Sequence, residues 1–60
     1  MFKKFVAELV AAKTDDQVNY ILYREDGVDM AFQKEKISWK EHELLFQLAG
    51  ALAVTTFAIH

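Results

Sequence analysis

A histidine lies between two glutamates near the middle of the chain, and these residue types can transfer protons or bind a metal ion. His42 follows Glu41 and precedes Glu43, and an imidazole beside carboxylates can act as a base or a ligand. Adjacent residues on a helix point in different directions, however, so these side chains do not converge on one substrate. No serine or cysteine nucleophile is placed to complete a catalytic set. We therefore predict that the protein is not an enzyme and that His42 lies at the edge of an aromatic surface.

Three acidic residues in the first half of the chain are a second candidate for chemistry. Glu25, Asp26 and Asp29 could be taken for a cation-binding loop, but an EF-hand requires ligands at alternate positions of a twelve-residue loop and a closing glutamate. That pattern is missing, and His60, the second histidine, stands at the end of the sequence. We expect these carboxylates to cap helices and to lie in solvent. The sequence predicts no metal site and no cofactor.

Aromatic side chains form a third candidate set, which could act as a binding surface. Its members are Tyr20, Tyr23, Trp39 and Phe46. Aromatic residues bury large areas and often dominate cores and interfaces. At these spacings in a small domain, we expect them to pack in a core or an interface, with the two tyrosine rings half-exposed.

The composition indicates one small folded domain that covers residues 1–60. The chain has 60 residues, of which 53% are hydrophobic, and this share is too high for a disordered segment. It has no cysteine, which excludes a disulfide framework and a cysteine metal site. Its 7 basic residues are scattered and are outnumbered by 9 acidic ones, so a nucleic-acid partner is not expected.

The first half of the chain predicts two amphipathic helices. Phe2–Lys13 is the first, with an apolar stripe on one side. The stripe consists of Phe2, Phe5, Val6, Leu9 and Val10. Thr14 and Gln17 have the spacing of a capping box, which predicts a second helix over Asp15–Glu25. Gly27 follows as its expected left-handed end.

The second half predicts a short helix followed by a long one. Val28–Lys36 is expected to be the short helix, and Ser38 with Glu41 forms an S-x-x-E capping box that begins the last helix at Trp39. That helix should run to about Thr56, although residues 54–60 include good strand formers and could instead be extended. The predicted fold class is therefore all-α, a small bundle of three to four short helices with a long apolar C-terminal helix.

The last helix is predicted to be apolar on two opposite sides. One side is a leucine face of Leu44, Leu45, Leu48, Leu52 and Ile59. The other side carries Trp39, Phe46, Gly50, Ala53 and Phe57. A helix that is apolar nearly all round is buried on more than one side. We expect the leucine face to be the domain's own core and the second face to be an interface, with a homodimer as the favoured assembly. The function predicted from sequence is thus a self-associating protein-interaction or structural module.

Two other functions remain open from sequence. Residues 15–36 have the outline of a helical hairpin that could serve a small regulatory DNA-associated protein, although Asp29 would then face the phosphates. Residues 44–59 could associate with a membrane, but a transmembrane helix needs about 20 apolar residues and this run contains Gln47. Both partners, nucleic acid and membrane, are therefore less favoured than a second protein chain.

One stretch of the sequence carries a resemblance. Ala31–Leu48, which includes the capping box and Trp39, is similar to stretches in small uncharacterised helical proteins of Gram-positive bacteria and their phages. The resemblance covers about a third of the chain. It implies a cytoplasmic accessory protein and transfers no activity and no functional residues.

Overall fold

The structure, a computed structural model, describes the backbone of residues 1–59 and the side chains of residues 1–53. The described chain is all-helical, as predicted. Its elements in order are α1 (Phe2–Ala11), α2 (Asp15–Tyr23), α3 (Val28–Gln33) and α4 (Trp39–Ile59). An extended conformation was the alternative for residues 54–60. The backbone of residues 54–59 is helical. The faces predicted for the last turns of α4 depend on side chains outside the described residues.

The capping box at Ser38 is complete, whereas at Thr14 only the hydroxyl half is formed, because the Gln17 side chain accepts from the Lys13 amide. The Thr14 hydroxyl accepts a hydrogen bond from the Gln17 amide at 3.2 Å, which starts α2 at the predicted residue. The Ser38 hydroxyl accepts from the Glu41 amide at 3.2 Å. The Glu41 carboxylate in turn accepts from the Ser38 amide at 2.9 Å. A cap of this kind contributes about 1 kcal/mol, so these short local motifs matter in a small domain.

The prediction of Gly27 as a left-handed helix end is wrong. Its φ is −86°, and it serves as the N-cap of α3 because the chain leaves α2 through an extended Arg24. Gly27 is needed for space, since a Cβ there would lie 2.5 Å from the Ile21 carbonyl oxygen. The left-handed residue is Glu35, with a φ of 60°. It follows α3, which ends at Gln33, earlier than predicted.

The core is a single cluster to which all four helices and the α3–α4 connection contribute. Its buried members are Phe5, Leu9, Val18, Ile21, Leu22, Val28, Ala31, Ile37, Leu45 and Ala49. Phe5 and Leu9 belong to the apolar stripe that was predicted for α1. Val10, predicted on the same stripe, is 62% exposed because Leu9 takes the inward position in the last turn of that helix. Helices α2 and α4 each contact the other three helices, and the contacts of α4 are the more extensive.

The buried side of α4 is rotated from the predicted one. Leu45 and Ala49 are almost fully buried, whereas Leu44 is 42% exposed, and Leu48 and Leu52 are half-buried. The assignment of the whole leucine face to the core is therefore wrong for Leu44. The cause is that α1, α2 and α3 all pack on α4, and together they cover a sector that lies between the two predicted faces.

Substitution of adjacent leucines tests this rotation. We expect Leu45→Ala to lower the free energy of unfolding by about 3 kcal/mol, since a fully buried leucine leaves a cavity. Leu44→Ala should cost less than about 1 kcal/mol because its side chain is partly in solvent. Urea unfolding followed by circular dichroism measures both. Equal losses for the two variants would contradict the observed orientation of α4.

Candidate interaction surface

Five rings from three helices form a continuous strip on one side of the domain, which we call the aromatic strip. Its members are Tyr23, Phe32, Trp39, His42 and Phe46. Neighbouring ring centroids lie 4.4 Å to 5.9 Å apart, which is the range of direct aromatic contact. Helix α4 supplies three of these residues, at spacings that place them on adjoining sides of its first two turns.

His42 is the centre of the aromatic strip. Its ring stacks on Phe46 at 4.4 Å and contacts Phe32 at 4.6 Å. The Trp39 ring is nearly parallel to it, at 5.7 Å and an interplanar angle of 16°. The side chain is only 15% exposed, so the ring has little access to a substrate. His42 is therefore part of an aromatic surface, as predicted, but it lies at the centre of that surface and not at its edge.

The polar contacts of His42 are sparse. Its Nε2 lies 3.4 Å from the Asp29 Oδ1, which is a long contact, and Asp29 also accepts a hydrogen bond from Gln33. The buried Nδ1 has no hydrogen-bond partner among the described residues. Among the described residues, the close contacts of the ring are mainly with aromatic side chains.

Both ends of the aromatic strip are in solvent. Trp39 is 63% exposed at one end, and Tyr23 is 63% exposed at the other. Phe46 lies between them, half-buried and packed against the core cluster. Large exposed aromatic side chains that adjoin one another are typical of binding surfaces, where they supply much of the contact area.

The residues predicted for the interface differ in their exposure to solvent. Trp39 and Gly50 are exposed, whereas Phe46 and Ala53 are half-buried. Among the described residues, a Cβ at Gly50 would meet nothing within 4 Å, so their packing does not require glycine there. The side chain of Phe57 lies outside the described residues. The contact between Phe32 and His42 depends on how α3 packs on α4. It could therefore not be predicted from the sequence.

Arg24 forms an ion-pair cluster that the sequence did not reveal. Its guanidinium donates to both carboxylate oxygens of Glu8 at 2.9 Å, and its Nε lies 2.9 Å from the Asp26 carboxylate. The hydrogen-bonded Glu8 carboxylate is the main reason that the pKa of Arg24 is raised. The cluster joins α1 to α2, and no periodicity links positions 8 and 24. The only available signal is that Arg24 is the chain's single arginine, the residue best suited to bidentate pairing.

The remaining hollows offer little chemistry. One hollow of about 580 Å³ is an open depression between the end of α3 and the start of α4, bordered by Phe32, Lys36 and Ser38. A second, about 320 Å³, lies beside Tyr20 and Arg24. Within the described part of the chain, no group of three or more histidine or acidic side chains could hold a metal ion.

Comparison with known proteins adds no functional assignment. No protein-family model, curated protein sequence or solved structure matches this chain. Among the helices as far as they are described, none has the length and apolar character needed to cross a membrane. The aromatic strip and the adjoining exposed side of α4 are therefore the features from which a function can be argued.

Replacement of His42 tests whether this residue contributes to stability. We expect His42→Phe to raise the free energy of unfolding by about 1 kcal/mol, because it keeps the ring stacking and removes a buried nitrogen without a partner. Asp29→Asn, which alters the long contact to Nε2 and the exposed hydrogen bond from Gln33, should change stability by less than about 0.5 kcal/mol. Thermal and urea unfolding measure both. A clear loss of stability in His42→Phe would mean that the polar contacts of the imidazole hold the strip together.

Proposed function

We propose that this protein is a small self-associating module, a structural or protein-interaction element that forms a homodimer through its long apolar C-terminal helix α4. The surface involved consists of the exposed side of α4 and the adjoining aromatic strip. One observation supports the proposal: at this surface, exposed aromatic rings lie beside an exposed glycine in the middle of a helix. The cytoplasmic location suggested by the sequence resemblance belongs to the same proposal.

The size of the chain supports an assembly. A domain of about 60 residues buries only about 60% of the surface that its unfolded chain exposes, and small domains often gain stability from oligomerisation. Here α1, α2 and α3 cover one sector of α4, and Trp39 and Leu44 remain 63% and 42% exposed on other sides. A second copy of the chain packed on the Trp39 side would remove that ring from water.

Gly50 supports the same proposal. Glycine in a helix interior costs about 1 kcal/mol relative to alanine, and none of the described residues lies close enough to Gly50 to require it. Close approach of a helix from another molecule would explain the residue, since a glycine lets two helix backbones come together without a side chain between them.

The other functions have weaker support. The second helix of the hairpin in residues 15–36 is α3, which has only 6 residues and carries Asp29 in its first turn. An acidic start opposes contact with DNA phosphates. A catalytic role has no support from the surroundings of His42, whose contacts are mainly aromatic. We therefore favour protein association over DNA binding, membrane association and catalysis.

Substitution of Gly50 by arginine tests the proposal without disturbing the domain. We expect Gly50→Arg to give a folded monomer, because the site is open within one chain and arginine is the better helix former. The same side chain would block close approach of a second molecule. Size-exclusion chromatography with light scattering should give the dimer mass for the unchanged protein and the monomer mass for the variant. Phe46→Glu is less informative because Phe46 also packs against the core.

The matched control is Ala7→Arg, which adds the same side chain at an exposed helical position on α1. This variant should remain dimeric. If the unchanged protein is a monomer at micromolar concentrations, or if Gly50→Arg is as dimeric as Ala7→Arg, the proposed assembly through this side of α4 is incorrect.

A further inference from the structure

We infer that α4 pairs with α4 of a second copy in antiparallel orientation, with each Phe46 packed over the partner subunit's Gly50. The inference rests on the proposed function and specifies its geometry. It follows from three features of α4: the spacing of its interface residues, the position of its charges and the open space beside Gly50.

The spacing is that of a two-helix contact. The predicted interface residues together with Glu43 are separated alternately by four and three residues, and we call this set the seam. It consists of Trp39, Glu43, Phe46, Gly50, Ala53 and Phe57. Helices whose contact residues repeat in this way pack side by side along their length, with side chains of one helix entering spaces between side chains of the other. One such row is sufficient for a symmetric dimer, in which both copies use the same surface.

The charges favour the antiparallel orientation. Glu43 is the one charged residue of the seam, and residues 44–59 carry no charge. Parallel helices would place two Glu43 carboxylates opposite each other, where like charges repel. In an antiparallel pair whose two-fold axis crosses the helices at the level of Leu48, Glu43 lies opposite the partner's Ala53 instead. The charged half of each helix then faces the uncharged half of the other.

The sizes of the side chains fit the same alignment. With the axis at Leu48, Phe46 lies opposite the partner's Gly50, so the bulkiest residue near the middle of the seam meets the smallest. Phe46 is half-buried within its own domain, and the unburied part of its ring is available for this contact. The empty space beside Gly50 would receive it. A parallel pair would instead bring two phenylalanines together and two glycines together.

Single cysteines on α4 distinguish the two orientations. The chain has no cysteine, and Gln47 and Lys40 are exposed residues that flank the seam on the same side of the helix. In the antiparallel dimer the two Gln47 positions lie beside the two-fold axis, whereas the two Lys40 positions are separated by about 24 Å along the helices. A short thiol-specific cross-linker should therefore make covalent dimer the main product of Gln47→Cys and leave Lys40→Cys at the background level. In a parallel dimer the two variants would cross-link to the same extent, because each residue lies at the same level as its copy in the partner.

The oligomeric state of each variant is measured first, which separates the two proposals. Cross-linking of Lys40→Cys in a dimeric protein overturns the antiparallel arrangement and leaves self-association intact. Failure of both variants to cross-link while the protein is dimeric also overturns the inference, because the antiparallel pair places the two Gln47 positions beside the two-fold axis. A monomeric protein contradicts the orientation and the proposed function together.

Discussion

The packing of three short helices on one sector of α4 is the constraint on which the rest of the structure depends. Helices of 6 to 10 residues are not stable alone in water, so α1, α2 and α3 persist only through their contacts with α4 and with each other. Leu45 is fully buried at the centre of these contacts. Because the three helices cover one sector only, the same packing leaves Trp39 and Gly50 on the outside of α4.

Polar interactions fix the ends and connections of the helices and do not enter the core. Among the described residues no polar or charged residue is buried as a whole, although single atoms such as the His42 Nδ1 are buried without a partner. The Arg24 cluster holds the ends of α1 and α2 together at the edge of the core, and the Ser38 box sets the start of α4. That start also places Trp39 over Phe32 and His42, so a local capping motif positions one end of the aromatic strip.

The features that the sequence predicted well are local ones. The Thr14 and Ser38 boxes are short-range patterns, and both helices begin where these patterns place them. The exposure of Leu44 was not predictable, since a helical wheel orders the faces of α4 without showing which sector the other helices cover. Gly27 was misjudged for the same reason, because the close approach of the Ile21 carbonyl is a tertiary contact. Trp39, Phe46 and Gly50 could be identified as one side of α4, but the part played by Phe32 required the packing of α3.

The central claim is that a second copy of the chain covers the exposed side of α4. Sedimentation equilibrium of the unchanged protein over a wide concentration range tests it most directly. The account predicts a reversible increase from the 6.9 kDa of one chain to twice that mass, with no larger species, because a two-fold interface closes on itself. A mass that stays at the single-chain value up to high micromolar concentrations would contradict the account.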